Sequence, residues 1–79
     1  MPAPSPRFPA AAEEYATVVR LRPEFAEAHN NLGNTLLQLG RFDEAQAHYE
    51  EALRLKPDYT PARNNLDRLQ TLRANRPAH

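Results

Sequence analysis

The fold turns on Ala28-His29-Asn30-Asn31-Leu32-Gly33, followed by Leu36, Gly40-Arg41-Phe42, Ala45, Tyr49, Ala52 and Lys56-Pro57. Ala28, Leu32, Leu36 and Leu39 recur at three- and four-residue steps, which places them on one stripe of a helix running from about Glu24 to Leu39. Gly40 is the stop expected just past a helix end. Asp43 can cap the next helix, with Gln46 three residues on as its capping-box partner. That helix carries Ala45, Tyr49, Ala52, Leu53 and Leu55 and stops at Pro57.

Working outward, the same vocabulary repeats. Shifting the chain by 34 residues lays Arg7-Phe8 on Arg41-Phe42, Ala11 on Ala45 and Tyr15 on Tyr49. It lays Arg20-Leu21 on Arg54-Leu55, Pro23 on Pro57, Phe25 on Tyr59, and Ala28 and Asn30-Asn31-Leu32 on Ala62 and Asn64-Asn65-Leu66. Fixed-period self-similarity marks a solenoid, in which each unit buries its apolar face on the next. A first helix is therefore expected from Ala10 to Arg22, with Tyr15, Val18, Val19 and Leu21 apolar. A fourth is expected from the Thr60-Pro61 cap to Ala74, with Ala62, Leu66, Leu69 and Leu72 on its stripe. No stretch alternates with period two, so the class is all-α: about four antiparallel helices stacked as hairpins. The domain spans 10–74. Residues 1–9, with four of the eight prolines, and residues 75–79 read as disordered tails.

These residues resemble the tetratricopeptide-repeat (TPR) signature. The resemblance covers 26–59 as one full repeat, 10–25 as the second helix of a preceding one and 60–74 as the first helix of a following one, which closes the stack. It implies a short right-handed α-solenoid that binds other proteins. Gly33 and Ala45 are then small where the two helices of a hairpin approach, Leu32, Leu36 and Tyr49 fill the space between hairpins, and Ala52 is small where the next repeat docks. Three positions depart from the pattern. His29 stands where a bulky apolar residue is common, and Val18 replaces the small residue seen at Ala52. Asp67 replaces the glycine seen at Gly33. With Gln70 and Arg73 in place of Leu36 and Leu39, the fourth helix reads as a solvated cap.

The sequence is most similar to the TPR superhelix of O-linked N-acetylglucosamine transferases, where an asparagine ladder grips peptide backbone. That resemblance makes Asn31 and Asn65 ladder positions, with Asn34 one turn on and Asn30 and Glu27 beside them. An amide both donates and accepts, so it can hold a peptide group without choosing a side chain. A carboxylate clamp of the kind other TPR proteins use finds only Arg63, because the single lysine is Lys56 near a helix end.

Composition excludes other classes. The chain of 79 residues has no cysteine, and ten Lys+Arg balance ten Asp+Glu. A neutral chain gives no footing for nucleic acid or an anionic membrane, and the mildly basic end at Arg68, Arg73 and Arg76 lacks interleaved aromatics. His29 and His48 lie on different helices with no further ligand to complete a metal site. Glu13-Glu14 and Glu50-Glu51 read as solvated faces, with Glu50 an i,i+4 partner of Arg54. Ser5 lies in the proline-rich tail, and no phosphate-binding glycine loop exists. The expectation is a cytoplasmic binding module with no catalytic residue, cofactor or metal. Its partner is a protein or peptide, or alternatively a second copy that covers the open face of the first helix around Tyr15, Val18 and Val19.

Overall fold

The structure is a computed structural model that describes residues 10–75; the tails expected at 1–9 and 76–79 lie outside the described residues. Four helices follow one another: α1 (Ala10–Leu21), α2 (Ala26–Gln38), α3 (Phe42–Leu55) and α4 (Thr60–Ala74). α2 is the centre of the stack and touches the other three, whereas α1 meets only α2 among the described helices. The all-α hairpin architecture is the one expected.

Two kinds of turn connect the helices. The α1–α2 and α3–α4 turns are copies of one another. Phe25 N–H donates to the Arg22 carbonyl at 3.2 Å, and Tyr59 N–H donates to the Lys56 carbonyl at 2.9 Å. Pro23 and Pro57 occupy the second position of these turns, where their fixed φ suits the bend. In each the leading cation lies over the closing aromatic ring, Arg22 at 4.8 Å from Phe25 and Lys56 at 5.3 Å from Tyr59. The aromatic residue is then the extended N-cap of the next helix. This moves the start of α2 from Glu24 to Ala26. It also places Thr60 and Pro61 inside the first turn of α4, so Thr60 is not the cap.

The α2–α3 turn is tighter. Gly40 adopts φ +80°, a conformation glycine enters at little cost. The Gly40 N–H reaches the Leu37 carbonyl and the Arg41 N–H reaches Leu36, closing a Schellman end. Arg41 is already the N-cap of α3, so the expected Asp43 cap is not formed. Asp43 lies two residues too deep, and its carboxylate instead accepts from Arg73 Nη2 of α4 at 2.6 Å. Gln46 donates to Glu50 and accepts from Arg73 rather than completing a capping box. Arg54 pairs with Glu51, one turn away, and not with Glu50.

The core has two parts. The larger holds Ala12, Leu32, Leu36, Ala45, Tyr49 and Leu69, with Tyr15, Val19 and Leu66 packed at its edge. The smaller joins Ala26, Ala52 and Ala62 beneath Leu53, Leu55 and Tyr59, which is where α2, α3 and α4 converge. Small side chains at that junction let three backbones approach closely. Leu72, placed by its spacing on the apolar stripe of α4, is 43% exposed.

Tyr49 decides the α2–α3 spacing. Its ring is fully buried, and a Cβ added to Gly33 would stand 2.7 Å from Tyr49 Cε1. The ring therefore lies on bare backbone. Its hydroxyl donates to Asn34 Oδ1 at 2.6 Å, so the buried oxygen has a partner. Burial pushes the Tyr49 pKa up to about 12 and keeps the phenol neutral. Gly33→Ala gains about 1 kcal/mol of helix propensity but forces this contact apart, for an expected net loss of about 1–2 kcal/mol. Asp67→Ala, at the equivalent but exposed position of α4, is expected to leave stability within about 0.5 kcal/mol or raise it. Urea unfolding followed by helical circular dichroism checks both, and equal effects at the two positions would refute the Tyr49–Gly33 constraint.

Candidate peptide-binding face

α2 and α4 are the first helices of successive hairpins, and they lie side by side. Their shared surface carries the asparagines. Asn30 is buried, and its Oδ1 accepts from Asn65 Nδ2 at 2.9 Å across the two helices. A buried amide of this kind requires a partner, and the bond ties the following helix to the full repeat. Asn34 is half-buried and occupied at Oδ1 by Tyr49. Asn31 is half-buried, and its side chain makes no hydrogen bond to another described residue; only its backbone carbonyl is used, by Thr35 Oγ1 at 3.2 Å. Glu27 is exposed in the first turn of α2.

The five residues therefore divide by role. Asn30, Asn34 and Asn65 each spend one half of their amide inside the protein. With Asn30 itself buried, the spare halves toward the surface are the Asn34 Nδ2 donors and the Asn65 Oδ1 acceptor. Asn31 keeps its whole amide, and Glu27 keeps its carboxylate. Donors and acceptors along one helix pair suit the alternating N–H and C=O groups of an extended chain.

The two histidines, which the sequence places on different helices, form a joint between elements. His29 is buried and stacks with His48 at 5.4 Å between ring centroids. Its Nε2 lies 2.9 Å from the Pro23 carbonyl, which can only accept, so Nε2 carries the proton. In the neutral ring Nδ1 is then an acceptor, and His48 Nδ1, at 3.2 Å, donates to it. One residue thus ties the α1–α2 turn, α2 and α3. Sequence reading missed this because the two residues are 19 apart and meet only after the hairpin closes. Among the described residues no group of three or more potential ligands gathers for a metal.

A cleft of about 410 Å³ opens between α1 and α3, with Leu32 and Leu36 of α2 among its lining. Ala12 and Ala16 leave the room for it, and Glu13, Arg20, Glu44 and His48 stand among its polar lining. The charges are of both signs, so the cleft expresses no preference for a charged ligand. None of the described helices is long and apolar enough to cross a membrane.

Residues 26–59, the α2–α3 hairpin, match the family model described as tetratricopeptide repeat, and residues 7–40 match a second, described as TPR repeat. The chain belongs to the TPR family. The two matches share α2 and together reach from residue 7 to residue 59. No curated protein matches the chain. TPR repeats generally mediate protein–protein interactions, and the amide-lined α2–α4 face belongs to a TPR hairpin and its neighbour.

The histidine joint gives a pH prediction. Burial first, then the nearby His29, lowers the His48 pKa below its ordinary value, outweighing the opposite pull of Glu44 and Glu51. The folded state therefore favours neutral His48. Its contribution is fully present above the unfolded value of about 6.5 and is lost as pH falls through the lower folded value. Unfolding free energy is expected to drop between about pH 7 and about pH 5, and His48→Gln is expected to flatten that drop. Urea titrations of both proteins across this range measure the difference.

Proposed function

We propose that this TPR chain is a non-catalytic binding module that holds an extended segment of a partner protein along the α2–α4 face. The observation that carries the reading is Asn31, an asparagine within a helix whose amide has no partner among the described residues. It stands beside amides that are half-used internally. Asparagine is a mediocre helix former, so its retention in mid-helix calls for a use. The resemblance of Asn31 and Asn65 to an asparagine ladder supports the same reading. Glu27 adds an acidic end to the row and favours a partner with a basic side chain there. A cytoplasmic setting belongs to this reading.

The contact set is small. A few hydrogen bonds must offset the ordering of a flexible peptide, so single-site affinity is expected to be weak, on the order of 100 μM. A second reading is self-association through α1. Its supporting observation is the exposure of Val18, Leu21 and Phe25, at 38%, 68% and 41%.

An array of immobilised extended peptides of varied sequence tests the first reading. The wild-type chain is expected to retain a subset of them. Asn31→Ala, whose amide makes no hydrogen bond to another described residue, is expected to weaken retention up to about fivefold with helicity kept, at about 1 kcal/mol or less for that amide. Glu27→Ala should lower retention only of peptides carrying Lys or Arg. Retention that Asn31→Ala leaves unchanged would refute the ladder reading.

A further inference from the structure

The internal repeat shows what the open face of α1 lacks. The 34-residue shift lays Glu14, Tyr15, Val18, Leu21, Arg22 and Phe25 on His48, Tyr49, Ala52, Leu55, Lys56 and Tyr59. On α3 this face is covered by α2, and Tyr49 and Ala52 are fully buried. On α1 the counterpart Tyr15 is only half-buried, at the edge of the core, and Glu14, Val18, Leu21, Arg22 and Phe25 are exposed. α1 meets α2 through the adjoining side, with Ala12 buried and Tyr15, Ala16 and Val19 packed on the same cluster, so Tyr15 lies at the border of the two sides. At about 100° per residue, Glu14, Tyr15, Leu21 and Arg22 all lie within about 60° of Val18. They form one stripe that is apolar along its middle, with an acid toward one end and a base at the other.

Two copies could cover that stripe in two ways. In a head-to-tail stack, α4 of one copy would take the place that α2 takes on α3. The residue facing the Tyr15 ring would then be Asp67, where α2 has Gly33. Even a methyl group at that position stands 2.7 Å from the ring in the α2–α3 pair, so a carboxylate excludes this stack. In a face-to-face pair, the order of residues selects the direction. A parallel pair sets Glu14 against Glu14 and Arg22 against Arg22. An antiparallel pair centred on Val18 sets Glu14 against the second copy's Arg22, Tyr15 against its Leu21, and Val18 against Val18. Opposite charges meet, apolar meets apolar, and each contact is made twice, as a two-fold interface requires. Glu14 has no partner among the described residues. Arg22 holds the exposed Glu24 carboxylate at 3.0 Å, a pairing weak enough to be shared.

We infer that the chain forms a two-fold dimer in which α1 packs antiparallel on α1 of a second copy, with reciprocal Glu14–Arg22 pairs flanking Val18. The inference rests on the self-association reading and adds its partner, direction and register. Exposed apolar surface supplies the attraction, and the charge order supplies the choice of orientation.

Sedimentation equilibrium of the 79-residue chain from about 1 to about 300 μM is the test, with circular dichroism on every variant. The wild type is expected to move from monomer to dimer and no further. Glu14→Arg and Arg22→Glu are each expected to weaken dimerisation at least tenfold, and the two together to restore it. Val18→Asp is expected to abolish it while helicity stays. A chain that is folded and monomeric throughout overturns self-association and this geometry with it. A dimer that Val18→Asp breaks but the charge exchanges leave untouched keeps self-association and overturns the antiparallel register. Oligomers that keep growing with concentration overturn the two-fold pair in favour of a head-to-tail stack.

Discussion

The Tyr49 ring lying on the bare backbone of Gly33 is the contact on which the rest of the structure depends. It sets how close α2 and α3 approach, since any side chain at residue 33 would hold the ring away. That spacing brings Ala45 and Ala52 to full burial and lets His48 reach His29. It also carries the tyrosine hydroxyl to Asn34, so that a polar group enters the core without losing its hydrogen bond. A small domain with no disulfide has few ways to order its helices, and a large aromatic against a glycine gives both burial and a fixed distance.

From this hairpin the neighbouring helices are added by two different means. α4 docks where Ala52 and Ala62 meet, and polar links hold its flanks: Asn65 to Asn30 on one side, Arg73 to Asp43 and Gln46 on the other. α1 is held by apolar contact with Leu32 and Leu36 and by its turn, which His29 fastens through the Pro23 carbonyl. The outer faces of these two helices are opposite in character. On α4, Arg63, Asn64, Asp67 and Arg68 are all exposed and polar. On α1 the corresponding row keeps the residues of a core. The two ends of the described stack therefore differ in surface chemistry, apolar along α1 and polar along α4.

The amide row shows how one residue type serves two purposes. Asn30 stabilises the repeat-to-repeat contact and is withdrawn from solvent, whereas Asn31, one residue along, faces a different direction and keeps its amide. Neighbouring helix positions differ by about 100°, which is enough to separate a structural asparagine from an available one.

The sequence by itself determined the repeat, its period and its punctuation. Apolar spacing, Gly40, Pro23 and Pro57 are local signals, acting within a turn or two of helix, and each lies where an element ends or a face is buried. The need for small residues at Gly33, Ala45 and Ala52 was legible as well, because residue size survives any detail of packing. Only the tertiary structure decided which polar side chains meet. Asp43 and Thr60 carry cap chemistry, yet Arg41 and Tyr59 take the caps, because the turns close one or two residues earlier than side-chain preference suggests. Arg73 reaches Asp43 over 30 residues, His29 finds His48 over 19, and Asn65 claims Asn30 over 35. Such pairs leave no periodic trace in the chain, since a hydrogen bond depends on an angle and a distance that exist only once the helices have packed.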